Sequence, residues 1–186
     1  MEFTVLKTRV KISPLFFAVL TAFLLADRGG IAAPVICFSL LHELCHFAVL
    51  GALKKAPREV NISAAGISMR LCGMSTAERV LVFAAGAAGN FAAAAICFAM
   101  GRWLFCGVNL AIGIFTMLPL CSTDGGSIFA ALAEKFFPER AKQLCKAVFT
   151  ACGAITAAAL FAAVAVYENP YLLIGAFYAV ICLIKY

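Results

Sequence analysis

Two histidines and one glutamate stand together in an apolar stretch, where His42, Glu43 and His46 form the pattern His-Glu-x-x-His. The chain has two histidines, so the pattern contains both of them. Residues four apart share one face of a helix, so the imidazoles can bind one ion while Glu43 handles a proton of water. This donor set favours zinc. A purely structural pair is the alternative, but it needs no such spacing, and a buried Glu43 would have to be neutralised or paired.

A zinc ion held by two histidines takes a third protein ligand and keeps one position open for water. Asp124 is the carboxylate besides Glu43 that lies in the apolar part of the chain. Pro119 before it and Gly125-Gly126 after it predict a break in the helix that turns the Asp124 side chain inward. Irregular backbone at membrane depth implies an aqueous pocket. The alternative is that Asp124 caps the helix that follows.

The composition is that of an integral membrane protein. Of the 186 residues, 65% are hydrophobic and 13% are charged, whereas soluble domains have about half and about a quarter. This balance excludes a soluble nucleic-acid-binding domain and a disordered chain. Nine cysteines without Cys-x-x-Cys pairs are expected as small apolar residues, not as a disulfide framework. Cys45 and Cys121 lie near the motifs and are possible thiolate ligands. Cys45 directly precedes His46, so its side chain is expected to point away from the helix face that carries His46.

The apolar pattern predicts an all-α polytopic membrane protein with about six transmembrane helices. The turn between the third and fourth spans, near Cys106, is the least defined, and five spans is the alternative. Basic residues favour the cytoplasmic side of a membrane. If both termini lie on the cytoplasmic side of the cell membrane, Arg28 and Arg102 are the only basic residues on the outer side. A cleaved signal peptide is disfavoured, because the residues before Asp27 lack the small residue that cleavage needs. In this topology His46 and Asp124 lie at one depth. The predicted spans are residues 14–26, 31–53, 80–105, 108–120, 148–167 and 170–184.

Two segments alternate in polarity and predict a small β-sheet at the membrane surface. They are residues 3–12 and 60–71, and amphipathic loops are the alternative. A further segment, 127–146, predicts an interfacial helix interrupted at Pro138. Because no repeat or soluble appendix is visible, residues 1–186 are expected to form a single membrane domain.

The motifs resemble those of the site-2 proteases, the intramembrane zinc metalloproteases, and within them the compact branch typified by the sporulation stage IV protease. The resemblance covers most of the first two thirds of the chain. Besides His-Glu-x-x-His, it includes Thr116-x-x-Pro-x-x-x-x-Asp-Gly-Gly, where Thr116 replaces the usual Asn and Thr123 stands in an altered stretch. A third motif, Gly86-Ala-Ala-Gly-Asn90, has Ala87 where the family has Pro.

The resemblance implies zinc bound by His42, His46 and Asp124, with Glu43 as the catalytic base. It implies substrate contacts by Asn90 and Thr116, although Asn90 as a hydrogen-bonded link between helices is an equal alternative. The surface sheet would receive an extended substrate segment by strand addition. The implied partners are the lipid bilayer and a membrane-associated protein substrate, such as a pro-sigma factor or a membrane-tethered regulator, with an inhibitory membrane protein as a further partner. Nucleic acid is not expected.

The predicted function is hydrolysis of peptide bonds within or next to the membrane, as in regulated intramembrane proteolysis, with sporulation as one setting. The alternative is a catalytically inactive relative that binds transmembrane segments, which the departures at Thr116 and Thr123 would favour. A metal transporter is less favoured, because its ionisable residues would follow a path through several spans rather than cluster at one depth.

Overall fold

A computed structural model describes residues 1–5, 8–27, 29–63, 66–167, 175–176 and 179–180 of the chain. The fold divides into two compact units, Met1–Phe115 and Thr116–Tyr186. The predicted sixth span, residues 170–184, and the C-terminal residues lie almost entirely outside the described part. The single domain and the six spans therefore stay predictions.

The first unit contains the small sheet that the alternating segments predict, which is confirmed. It has four strands in the order β1-β2-β3-β4. The outer pairs are antiparallel, whereas β2 and β3 run parallel, with Arg9 opposite Glu59. A parallel pair needs a long crossover, and two helices supply it here. The strands are β1 (Glu2–Val5), β2 (Thr8–Ile12), β3 (Glu59–Ser63) and β4 (Gly66–Arg70).

Four apolar helices begin in this unit, and side chains just before three of them satisfy the first amide groups. Ser13 accepts from the Leu15 amide, and Asp27 accepts from the Ala32 amide at 2.8 Å. Ser75 and Glu78 form a reciprocal capping box, which satisfies two donors at once. The helices are α1 (Pro14–Ala26), α2 (Ala32–Ala52), α3 (Thr76–Ala99) and α4 (Trp103–Met117).

The turn between α3 and α4 lies earlier than the sequence indicates. We expected it near Cys106, but α3 ends at Ala99, and Gly101 has a φ of 68°. A residue with positive φ ends a helix, and glycine adopts it without steric cost. Cys106 therefore lies inside α4, buried at 8% exposure.

The second unit contains α5 (Asp124–Phe136) and α6 (Ala141–Tyr167). The predicted interruption at Pro138 coincides with the gap between these helices. They pack through a small core in which the rings of Phe129 and Phe149 meet edge to face, with 6.0 Å between centroids. Cys145 is buried in the same cluster.

Among the residues that the structure describes, three helices are long and apolar enough to cross a membrane, which indicates a membrane protein. Two shorter apolar helices, Pro14–Leu25 and Trp103–Met117, accompany them. Every cysteine in the described part of the chain is a free thiol, in agreement with their expected role as apolar side chains. The three long helices are Ala32–Ala52, Thr76–Ala99 and Ala141–Val166.

Candidate metal centre

The two histidines lie on consecutive turns of α2, as their spacing predicts. Both are buried, with His42 5% and His46 1% exposed. Their rings meet edge to face, with 4.8 Å between centroids. Burying an imidazole in an apolar environment costs free energy unless its polar atoms are satisfied. The partners of each ring nitrogen therefore decide whether the pair can bind a metal ion.

Each histidine uses its Nδ1 atom for a hydrogen bond to α3. His42 Nδ1 lies 2.7 Å from Oδ1 of Asn90, and His46 Nδ1 lies 2.7 Å from the Val82 carbonyl oxygen. A carbonyl oxygen can only accept, so the proton of each neutral ring belongs on Nδ1 and the lone pair on Nε2. Histidines that bind metals characteristically donate their second nitrogen to such an acceptor.

The two Nε2 atoms converge on one point of α3, at Gly86. A Cβ atom at Gly86 would lie 2.5 Å from Nε2 of His46 and 2.6 Å from Nε2 of His42. The same Cβ would lie 2.6 Å from Cε1 of His42, so any side chain at this position would overlap the edges of both rings. Glycine therefore lets the two Nε2 atoms lie together against α3, and a pair of imidazole nitrogens is a donor set that fits zinc.

The remaining side chains of the motif are placed consistently with this arrangement. Glu43 is half-buried, and its Oε2 atom is shielded from solvent. The Sγ atom of Cys45 also packs against α3, beside Gly89. The expectation that Cys45 points away from the metal-binding face stays a prediction.

Asp124 is the first residue of α5, directly after an irregular segment in the second unit. The segment packs so tightly that Cβ atoms at Gly125 and Gly126 would overlap the carbonyl groups of Met117 and Leu120. The predicted break before Asp124 is therefore present, and the two glycines make it possible. The helix cap is Thr123, whose hydroxyl accepts from the Gly126 amide at 3.2 Å, so Asp124 is not the cap.

Thr123 also holds the irregular segment together. Its buried hydroxyl has one proton, which it donates to the Leu118 carbonyl, the nearer of two acceptors; the other, the Leu120 carbonyl, lies at 3.0 Å. The same oxygen accepts from the Leu120 amide. The sequence marks this residue as a departure from the family pattern. The structure gives it a local function, namely to close the loop that precedes Asp124.

The chemistry of His42, His46 and Asp124 suits one metal ion. The histidines belong to the first unit and Asp124 to the second, so Asp124 as the third ligand stays a prediction. Asn90 and Thr116 are the two residues predicted to contact substrate. Asn90 is fully buried, and its described contacts are to His42, Phe38 and Asn109. Thr116 lies near the end of α4 and is half-buried. Their contacts with substrate stay predictions.

Sequence reasoning missed Asn109 and the Val82 carbonyl. Asn109 is fully buried in α4 and contacts Asn90. An asparagine within an apolar run was a visible signal, because a buried amide requires partners. The Val82 carbonyl carried no signal, since every residue has a backbone carbonyl and the one that meets His46 depends on how α2 and α3 pack.

Comparison with known proteins gives one informative result. No protein-family model and no curated protein matches the chain. A solved structure, described as "Site-2 Protease from Methanocaldococcus jannaschii", matches with a TM-score of 0.69 and 14% sequence identity. The match covers 100% of this chain and 94% of that one. The chain is thus similar in fold, over its whole length, to a site-2 protease.

Proposed function

We propose that the protein is a zinc metalloendopeptidase that hydrolyses peptide bonds within or near the transmembrane segment of a membrane-associated protein. The observation that carries this proposal is the pair of buried histidines whose Nδ1 atoms are both bonded to acceptors and whose Nε2 atoms both face Gly86. A purely structural pair would not need both Nε2 atoms brought together at one point of α3. The fold similarity to a site-2 protease supports the same conclusion.

The residues that would hold the ion are His42, His46 and Asp124. When bound, zinc supplies Lewis acidity, which makes water more acidic and polarises a carbonyl group. Asp124 suits the third position because Thr123 fixes the backbone immediately before it. A tightly held first turn of α5 limits the positions that this carboxylate can adopt.

Glu43 is proposed as the general base and acid. It neighbours His42 in sequence, and the shielding of its Oε2 atom from solvent allows a proton to be passed to a reacting group rather than to bulk water. In the proposed reaction Glu43 takes a proton from the attacking water and delivers it to the leaving amine. A carboxylate in this role contributes about 10²–10⁴-fold to the rate.

The proposed substrate enters as an extended segment. A helical peptide bond is shielded by its own hydrogen bonds, so a transmembrane substrate has to unwind before attack. The four-stranded sheet offers β1 and β4 as edges, and strand addition at an edge is a known way to hold an extended peptide. A pro-sigma factor or a membrane-tethered regulator would supply such a segment next to the membrane.

We further propose a multi-pass topology in the cell membrane with both termini cytoplasmic, and a place in the compact branch of the site-2 protease family.

The test is to measure bound zinc and cleavage on the full chain purified in detergent. We expect about one zinc ion per wild-type chain, and its loss in His46→Ala and in Asp124→Ala. Glu43→Gln should keep zinc and lose cleavage of single-span reporter proteins. Cys45→Ala is the matched control on the same helix, and it should keep both. A Glu43→Gln protein that still cleaved the reporter would refute the mechanism.

The same experiment decides the alternative, a relative that binds transmembrane segments without cutting them. Two departures from the family motif, Thr116 and Thr123, favour this alternative in the sequence. Thr123 has a structural function, since it caps α5 and closes the loop before it, so Thr116 is the departure that still favours the alternative. Folded wild-type protein that bound no zinc even when zinc was supplied would favour this alternative.

A further inference from the structure

Three buried side chains form a series of hydrogen bonds from α2 through α3 to α4. His42 Nδ1 lies 2.7 Å from Oδ1 of Asn90, and Nδ2 of Asn90 lies 3.0 Å from Oδ1 of Asn109. The series ends where Nδ2 of Asn109 donates to the Phe105 carbonyl at 2.9 Å. Both asparagines are 0% exposed, so bulk water does not compete for these contacts.

The chemistry of the last acceptor fixes the orientation of every group before it. The Phe105 carbonyl can only accept, so Asn109 turns its NH₂ group toward it and its oxygen toward Asn90. Asn90 must then donate to that oxygen, and its second proton reaches the Phe38 carbonyl at 3.3 Å. The oxygen of Asn90 is consequently left to face His42.

We infer that Asn109 is a positioning residue for the metal centre, acting through Asn90 on the tautomer of His42. An Asn90 amide turned by 180° would offer a donor to His42, which favours a proton on Nε2, the nitrogen that faces Gly86. Asn109 supplies the shorter of the two contacts that prevent this rotation. The inference rests on the proposed function only in treating Nε2 as a metal ligand.

His46 shows why this relay is needed at one histidine and not at the other. Its Nδ1 atom donates directly to the Val82 carbonyl, a backbone group that cannot rotate. His42 has a side-chain amide in the equivalent position, and an amide has two orientations of nearly the same shape. The orientation must therefore be set by the other contacts of the amide, of which the one to Asn109 on α4 is shorter than the one to the Phe38 carbonyl.

The first experiment reads the tautomers directly. With ¹⁵N-labelled histidine the metal-free protein gives signals from two imidazoles, because the chain contains two histidines. We expect both rings to carry the proton on Nδ1 in the wild type. In Asn109→Leu, His42 should show both tautomers while His46 stays unchanged as an internal control. Unchanged His42 signals in a folded Asn109→Leu protein would overturn the inference.

The second experiment measures zinc affinity against a competing chelator. Loss of a residue that orients a metal ligand typically costs 10–100-fold in affinity, so we expect roughly tenfold for Asn109→Leu and more for Asn90→Leu. Because Asn109 acts through Asn90, the double variant should bind zinc no more weakly than Asn90→Leu alone. Additive losses would show that Asn109 acts independently and would overturn the inference.

Two further variants make the result unambiguous. Val108→Ala creates a cavity beside Asn109 in α4, so it should lower thermal stability without changing zinc affinity. If Asn109→Leu does not fold, Asn109→Ser keeps a hydroxyl for the Phe105 carbonyl but is too short to contact Asn90, and the same outcomes apply. A wild type that bound no zinc would refute the proposed function, whereas the tautomer comparison would still decide the inference.

Discussion

Gly86→Ala is the substitution that most directly tests how the candidate metal centre is built. A Cβ at this position would lie 2.5 Å from His46 Nε2 and 2.6 Å from His42 Nε2. An ordinary contact between non-bonded heavy atoms is about 3.5 Å, so the histidines or α3 would have to move by roughly 1 Å. The Nδ1 hydrogen bonds to Asn90 and Val82 oppose rotation of the rings, so the strain falls on the spacing between the helices.

The consequences for stability and for metal binding differ. Overpacking costs about 1–3 kcal/mol, but the higher helix propensity of alanine returns nearly 1 kcal/mol. Zinc sites tolerate deviations of only about 0.2 Å in ligand distance, so a shift of roughly 1 Å should prevent both Nε2 atoms from binding together. We expect Gly86→Ala to lower zinc affinity by at least about 100-fold while the unfolding temperature falls only modestly.

The assay is a chelator competition measured beside thermal unfolding of the metal-free protein. Gly51→Ala is the control, because it lies on α2 with no atom within 4 Å of the added Cβ. It should leave zinc affinity unchanged and unfolding temperature equal or higher. Wild-type zinc affinity in a folded Gly86→Ala protein would refute the inference that the lack of a side chain at position 86 allows both Nε2 atoms to bind one ion.

Three further substitutions test the supporting structure. Thr123→Val should destabilise the protein by about 0.5–2 kcal/mol and weaken zinc binding, whereas Thr123→Ser should do neither; equal losses in both would contradict the closing function of the hydroxyl. The hydrogen bond from Lys11, together with the Lys11 charge, holds the pKa of Glu59 below its usual 4.5. The wild type should therefore be more stable than Glu59→Gln above about pH 4.5, and this advantage should disappear as the pH falls further. A pH-independent difference in chemical denaturation would show that the charge is not involved. Gly113→Ala places a Cβ 2.7 Å from the Phe91 ring, so the free energy of unfolding should fall by about 1–3 kcal/mol, and an unchanged denaturation midpoint would contradict that contact.

The ligands of the candidate centre were predictable because their chemistry is local. His42 and His46 are four residues apart, and that spacing alone places them on one face of any helix. The break before Asp124 was also visible, because proline and paired glycines carry backbone preferences of their own. None of these inferences needed to know which helix packs against which.

The groups that orient these ligands were not predictable in the same way. The acceptor for His46 is a backbone carbonyl at Val82, and every residue has one. The partner of Asn90 is on another helix, so it depends on the depth at which α3 and α4 pack. The bounds of α3 show a related limit, because the continuous apolar run did not reveal where the helix begins or ends. Ser75 and Glu78 have the sequence pattern of a capping box at its start. Gly101, with its positive φ, marks its end.

The parallel pairing of β2 with β3 determines when the sheet can form during synthesis. Residues 9–12 pair with residues 59–62, so the N-terminal hairpin leaves the ribosome before its partner strand exists. At about 5–20 residues per second this interval lasts several seconds. Throughout that time the inner edge of β2 is open to any extended chain, including another nascent copy. Ribosome-bound chains stalled before β3 should therefore show protease-sensitive N-termini, and chains stalled after β4 should be protected.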